Sequence, residues 1–80
     1  MKKKKIDEEI EKIFISLFKL KKKNIKSNTN FKNTKNWDSL SHIRLIMTLE
    51  SKFKTSINPD TALILLSYKD IVNFINKNNK

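Results

Sequence analysis

Residues 37–53 read Trp-Asp-Ser-Leu-Ser-His-Ile-Arg-Leu-Ile-Met-Thr-Leu-Glu-Ser-Lys-Phe, and this stretch predicts the helix around which the domain is built. Asp38 is a suitable N-cap, because its side-chain oxygen can accept a hydrogen bond from the free amides of a first turn. The helix is expected to end near Lys52 or Phe53. Its apolar residues spread over most of two faces, which predicts neighbours on more than one side. They are Leu40, Ile43, Ile46, Met47, Leu49 and Phe53.

Three further helices are predicted. Apolar residues recur at helical spacing near the amino terminus and predict an amphipathic helix from about Lys3 to Lys21. Asn58 and Pro59 suit the start of a short helix, because Asn caps and Pro fits the first helical position. The apolar residues from 62 to 66 are expected to be buried or to line a pocket. Residues 67–70 match a weak capping box and open the last helix, which runs to about residue 75.

A polar stretch from Lys22 to Asn36 separates the first two helices and predicts a long loop. Phe31 is expected to anchor this loop by packing back onto the core. The ends, at about residues 1–3 and 76–80, are expected to fray. The predicted fold is therefore a single all-α domain spanning residues 1–80, with three main helices and one short helix.

The composition narrows the function classes. The chain has 80 residues and no cysteine, which excludes disulfides, thiolate zinc sites and a catalytic thiol. With one histidine and scattered acids, no metal site is expected. No nucleophile–base set or glycine-rich phosphate loop is evident, so the chain is not expected to be an enzyme. No apolar run approaches the length of a membrane span, and residues 6–10 do not suit a signal peptide. These features favour a cytoplasmic protein without stable membrane insertion.

Ser39 follows the predicted N-cap and therefore lies in the first turn of the central helix. Free backbone amides and the positive end of the helix dipole would stabilise a phosphate attached there. The long preceding loop would leave the hydroxyl accessible to a modifying enzyme. On these residues alone, an ordinary capping pair formed by Asp38 and Ser39 is the better explanation of the motif.

The chain resembles the acyl and peptidyl carrier proteins. The resemblance begins with Asp38-Ser39-Leu40 at the start of the second helix. It continues through Leu49-Glu50 and Phe53, then Ile57, Pro59-Asp60, Ala62 and a closing helix through Ile75. It covers about residues 6–76. The implied fold is a four-helix acyl-carrier-like bundle, and the implied protein is a monomeric thioester carrier.

The resemblance also implies a cofactor and partners. A phosphopantetheinyl transferase, using Mg²⁺ and coenzyme A, would attach 4'-phosphopantetheine to Ser39, making the chain a phosphoprotein. Asp38 would help to organise the metal ion during transfer, and Leu40 would contact partner enzymes. The remaining partners would be a ligase that loads acyl or aminoacyl groups and transferases that accept them.

Two larger sets of residues follow from the same resemblance. The expected partner surface comprises Trp37, Ser41, Arg44, Met47 and Thr48. The expected acyl pocket comprises Phe31, Ile43, Ile46, Leu49, Ile57, Ala62 and Leu65, and ordinary core packing accounts for these seven residues equally well. His42 is expected to be a partly exposed helix residue near the arm rather than an acid or base. Trp37 is expected to cover the start of the helix.

The formal net charge of +10 departs from the usual acidic fatty-acid carriers. The central helix has only Glu50 as an acid, so a basic docking patch would find little attraction there. This favours a specialised pathway, such as secondary-metabolite or surface-polysaccharide synthesis, over fatty-acid synthesis. The alternative is a basic helical module that binds nucleic acid or an anionic membrane, supported by the lysine runs at residues 2–5 and 21–23. Nucleic acid is not the expected partner, because the chain has a single arginine.

Overall fold

Four α-helices form the protein in the computed structural model, which describes the backbone of residues 3–78 and the side chains of residues 6–78. They are α1 (Lys3–Phe18), α2 (Ser39–Phe53), α3 (Pro59–Ile64) and α4 (Tyr68–Asn78). A 3-10 turn, Lys22–Asn24, lies between α1 and α2. Within the described range the only extended pairing is an isolated bridge between Asn30 and Ser67. The all-α prediction is confirmed.

Helices α1 and α2 run antiparallel. Near the start of α1, Glu9 Oε1 lies 2.9 Å from Nζ of Lys52 at the end of α2. At the opposite end, Asn36 Nδ2 donates to the carbonyl of Phe18, the last residue of α1, at 2.9 Å. The first contact joins the first half of α1 to the end of α2, and the second brings the end of α1 next to the start of α2.

The core consists of the apolar stripes that the spacing predicted, together with residues from the connections. Six residues of α1 recur at helical spacing and form its apolar stripe. Leu17 is half-buried, and the other five are buried: Ile6, Ile10, Ile13, Phe14 and Phe18. Helices α2 and α4 contribute residues that include Leu45, Leu49, Ile71 and Ile75, each with no exposed area. Phe14 is the centre of an aromatic cluster, with edge-on contacts at ring distances of 5.1 Å to Phe18, 5.3 Å to Trp37 and 5.2 Å to Tyr68.

Two helix ends differ from the prediction. Helix α1 ends at Phe18 rather than near Lys21, because Lys19 takes a left-handed backbone conformation with φ 56°. Helix α4 extends to Asn78, past its expected end, and the Asn76 and Asn78 amides donate to carbonyls one turn earlier. Residues 1–2 and 79–80, parts of the ends expected to fray, lie outside the described residues.

Helix α2 ends at a left-handed residue, Lys54, with φ 51° and ψ 52°. A side chain with a Cβ costs about 1 kcal/mol or more in this conformation, which glycine would avoid. Glu50 organises the turn. Its carbonyl accepts from the amides of Lys54 and Thr55, and its carboxylate accepts from the amide of Ile57 at 2.9 Å. Glu50 is therefore directed toward the connection to α3.

The long loop is anchored by more residues than the predicted Phe31. Phe31 is 36% exposed, whereas Ile25, Thr29 and Thr34 are buried. The Thr29 hydroxyl accepts from the amide of Lys26, and its carbonyl accepts from the amide of Tyr68. The Phe31 ring lies edge-on against the buried ring of Trp37 at 6.3 Å, and its amide donates to the carbonyl of Leu66. Phe31 therefore takes part in the anchor, as predicted, together with the hydrogen bonds of Thr29.

Tyr68 is held in its neutral form. Burial raises the pKa of its hydroxyl well above the usual range, and the negative charges of Glu11 and Asp7 add to the effect. The hydroxyl donates to the backbone carbonyl of Asp7 at 3.3 Å. Because the folded-state pKa is raised, this contribution to stability is present below about pH 10 and is lost as the pH rises further.

The first prediction concerns this ionisation. Tyr68 is the chain's single tyrosine, so tyrosinate absorbance reports its ionisation directly. The folded protein should develop this absorbance only well above pH 10 or together with alkaline unfolding, whereas the urea-unfolded chain should titrate near about pH 10. Equal midpoints in the folded and unfolded chains would contradict the buried, charge-flanked position.

Candidate functional site at the start of helix α2

Asp38 caps helix α2, as predicted. Its backbone is extended, with φ −119° and ψ −171°, and its Oδ1 accepts from the amide of Ser41 at 2.9 Å. Its carbonyl accepts from the amide of His42, which is the first bond of the helix. The Ser41 amide, followed by the Ser41 side chain, holds the pKa of the Asp38 carboxyl below its ordinary value. The Asp38 carboxylate is exposed to solvent.

Ser39 is the first residue of α2 and is exposed to solvent. Its neighbour Leu40 is also exposed, at 61%. The amides of a helix's first turn have no partner within the helix, and the helix dipole favours negative charge at this end. A phosphate ester on the Ser39 hydroxyl would therefore be stabilised without a further cationic side chain.

Trp37, directly before the cap, is only 2% exposed. Its ring stacks on Phe18 at a centroid distance of 4.9 Å and an interplanar angle of 21°. The expectation that Trp37 covers the start of the helix agrees with this packing. Its placement on the partner surface is wrong, because a side chain buried against α1 offers no area to another protein.

His42 links three parts of the chain. The indole Nε1–H of Trp37 donates to His42 Nδ1 at 3.0 Å, so Nδ1 is unprotonated and the imidazole proton lies on Nε2. His42 Nε2 then donates to the carbonyl of Ala62 in α3 at 2.8 Å. His42 is half-buried, in agreement with the predicted partial exposure, but its connection to α3 was not predicted. Both ring nitrogens serve the fold, which leaves neither free for acid–base work in this arrangement.

Two open apolar grooves flank His42. The α2–α3 groove has a volume of about 380 Å³. The serine groove has a volume of about 330 Å³ and reaches Ser39. They share His42, Ile43 and Leu63. The α2–α3 groove is also lined by Ile46, Met47, Ile57, Pro59 and Ala62, and the serine groove by Phe31, Ser39 and Leu66.

The grooves bring together five of the seven residues expected to line an acyl pocket. Ile43, Ile46, Ile57 and Ala62 line the α2–α3 groove, and Phe31 joins Ile43 in the serine groove. The other two, Leu49 and Leu65, are 0% and 4% exposed and belong to the packed core rather than to either groove. Their inclusion in the pocket is corrected accordingly.

The short helix α3 is less buried than its composition suggested. Of the apolar residues from 62 to 66, only Leu65 is buried, and Ala62 is half-buried. Leu63 and Ile64 are 70% and 68% exposed, and Leu66 is 39% exposed. Leu63 and Leu66 line a groove, which agrees with the expectation that residues 62–66 are either buried or line a pocket. A continuous apolar run hides which face of a one-and-a-half-turn helix meets the core.

The other residues expected on the partner surface lie on the outer side of α2. Arg44 is exposed, Met47 is 62% exposed, and Ser41 and Thr48 are half-exposed. The Thr48 hydroxyl donates to the carbonyl of Arg44 at 2.7 Å and so is satisfied within the helix. Leu40 and Ile43, close to Ser39 in the chain, are also exposed, at 61% and 57%.

Known protein families and other kinds of site give no further assignment of function. No protein-family model matches the chain. Among the described residues, no three acidic, histidine or cysteine side chains are grouped so that they could hold a metal ion. None of the helices in the same range is both long and apolar enough to cross a membrane.

The second prediction concerns the Asp38 cap. Because the folded-state pKa of Asp38 is lowered, its stabilising effect should be fully present above about pH 4 and should be lost as the pH falls through the folded-state pKa. Asp38→Asn keeps a capping oxygen but cannot titrate. Urea unfolding between pH 7 and pH 2 should show that the wild type loses more stability than Asp38→Asn. An identical pH dependence in the two proteins would contradict the cap.

The third prediction concerns His42. Replacing His42 by Leu leaves the buried indole N–H of Trp37 without an acceptor, which should lower the free energy of unfolding by about 1–3 kcal/mol. In a Trp37→Phe background, the donor is gone and the same substitution should cost less. A double-mutant cycle followed by circular dichroism measures the coupling, expected at about 0.5–3 kcal/mol. Equal costs in both backgrounds would contradict the hydrogen bond.

Proposed function

We propose that this protein is a carrier, rather than an enzyme, which bears a 4'-phosphopantetheine arm on Ser39 and holds acyl or aminoacyl groups on that arm as thioesters. The observation that carries the proposal is the position of Ser39, exposed in the first turn of a capped helix at the edge of an apolar groove. Together with the resemblance of residues 6–76 to carrier proteins, it favours an acyl-carrier-like arrangement of the four helices.

In the attachment reaction the chain itself would supply only the Ser39 hydroxyl and the neighbouring Asp38 carboxylate. The Ser39 oxygen would bond to the phosphorus of coenzyme A that carries pantetheine, and the diphosphate bond would break. Adenosine 3',5'-bisphosphate would leave, and the hydroxyl proton would pass to a base of the transferase. Asp38 supports this reaction, because its exposed carboxylate adjoins Ser39 and remains ionised at neutral pH. It would assist the Mg²⁺ ion that the transferase brings.

The residues around Ser39 fit the arm. No other carboxylate belongs to the first two turns of α2, and the serine groove provides an apolar floor beside the hydroxyl. When bound, the arm supplies a terminal thiol, which this cysteine-free chain lacks. The chain's own part would be to hold the arm at the helix start. The exposed residues Leu40 and Met47 would meet the enzymes that load and unload it.

A specialised pathway suits this surface better than fatty-acid synthesis. In α2 the one acidic side chain, Glu50, is half-buried and bonded to the amide of Ile57, so it presents no carboxylate to a basic partner. Secondary-metabolite and surface-polysaccharide pathways are the proposed settings. The nucleic-acid or membrane alternative gains no support from the site, since neither ligand would require an exposed serine beside a groove.

The fourth prediction tests the arm. Incubation with coenzyme A, Mg²⁺ and a permissive phosphopantetheinyl transferase should raise the intact mass by one phosphopantetheine. Ser39→Ala should show no gain, whereas Ser41→Ala, two residues along the same turn, should be modified as the wild type is. No gain with several transferases, or a gain that survives in Ser39→Ala, would refute the proposed attachment.

A further inference from the structure

The exposed face of α2 has an unusual composition. Leu40, Arg44 and Met47 follow one another at spacings of four and three residues and therefore lie on one side of the helix. Leu40 and Met47 are 61% and 62% exposed, and Arg44 lies exposed between them. Ile43, 57% exposed, borders the same face. We name these four residues the α2 stripe. Two exposed apolar side chains separated by a cation mark a surface suited to contact with another protein.

The acidic residues near the α2 stripe are engaged elsewhere. Glu50 accepts from the Ile57 amide, and Asp38 accepts from the Ser41 amide. The other cation of the helix, Lys52, is paired with Glu9 across to α1 at 2.9 Å. Arg44 is therefore the charge that an approaching partner meets on the stripe itself.

The surroundings of the stripe are basic. Residues 12–37 contain eight exposed lysines and no acidic residue. Two of the eight, Lys12 and Lys22, lie within 4.0 Å of the carboxylates of Glu9 and Glu11. This segment runs directly into the start of α2. The Asn36 side-chain amide donates to the carbonyl of Phe18, which brings Lys19, the residue after Phe18, to the same end of the helix as Lys35. A partner that approaches Ser39 thus meets a positive field, which speeds the association of acidic surfaces and slows that of basic ones.

We propose that the α2 stripe docks proteins with an acidic contact surface, in which apolar pockets take Leu40 and Met47 and a carboxylate between them pairs with Arg44. This inference rests on the proposed carrier function and names the chemistry of its partners. Nucleic acid fits less well, because phosphates gain nothing from the apolar members of the stripe and Arg44 is the chain's only arginine. Binding to an anionic membrane is a separate outcome of the test below.

The fifth prediction tests the stripe with a transferase of controlled charge. The probes are a permissive phosphopantetheinyl transferase with a basic carrier-binding face and a variant in which that face is reversed to acidic by Lys→Glu substitutions. The acidic-faced enzyme should modify the wild type with a kcat/KM roughly tenfold higher at low ionic strength, and added salt should reduce the advantage. Arg44→Glu should remove most of this advantage.

The matched control is Lys77→Glu, which changes the net charge by the same amount at an exposed position in the last turn of α4. With the acidic-faced enzyme, Lys77→Glu should have a kcat/KM within about twofold of the wild-type value. Equal effects of Arg44→Glu and Lys77→Glu, or faster modification by the basic-faced enzyme, would overturn the docking proposal while Ser39 is still modified. No modification by either enzyme would overturn the carrier function and the docking proposal together.

A separate experiment tests binding to an anionic membrane and to nucleic acid. Wild type and Arg44→Glu are tested for co-sedimentation with phosphatidylcholine vesicles containing phosphatidylglycerol, and for a mobility shift of a single-stranded RNA. Binding of either ligand at micromolar concentration that is lost in Arg44→Glu would overturn the assignment of the stripe to proteins. Weak binding that Arg44→Glu and Lys77→Glu reduce equally supports it, because that behaviour reflects net charge alone.

Discussion

The burial of Trp37 is the constraint on which the rest of the structure depends. The indole lies between the aromatic residues of α1 and the first turn of α2, with 2% of its surface exposed. A buried indole N–H needs an acceptor, and His42 Nδ1 supplies it. That bond places the other imidazole nitrogen against the carbonyl of Ala62. One side chain thus connects the end of α1, the start of α2 and the middle of α3.

The same burial determines what is exposed. With Trp37 turned inward, the chain continues through an extended Asp38 into the helix, and the next two residues, Ser39 and Leu40, are turned to solvent. The accessible hydroxyl is therefore a consequence of core packing rather than of loop mobility. The grooves on either side of His42 have a similar origin, because the imidazole holds α3 close to α2 while the apolar residues between them remain incompletely covered. A firm interior beneath the exposed Ser39 and the open grooves suits the proposed carrier function, in which several enzymes must recognise the protein.

Features that depend on local patterns could be predicted from the sequence. The stripe of α1, the Asp38 cap and the Asn58–Pro59 start of α3 each follow from spacing or from the chemistry of one or two residues. Features that depend on contacts between distant residues could not. The sequence around Lys19 contains no signal for a left-handed backbone conformation. Helix α1 ends at Phe18, whose carbonyl accepts a hydrogen bond from the distant Asn36. The bond between His42 and Ala62 spans twenty residues and leaves no periodic signal. The resemblance predicts a place for Trp37 on the partner surface, and no local pattern reveals that its ring stacks on Phe18.

The exposed lysines bear on the proposed recognition of partner proteins rather than on the packing of the core. The eight lysines of residues 12–37 are exposed and stay out of the core, so they cost the fold little. Under the docking proposal they favour the approach of acidic surfaces to Ser39. The attachment itself is tested most directly on protein purified from its own cells. Trypsin cleavage after Lys35 and Arg44 yields a peptide of residues 36–44 that contains Ser39 and Ser41. Fragmentation of this peptide should place one phosphopantetheine on Ser39. A peptide that is always unmodified, or that carries the group on Ser41, would contradict the proposed function.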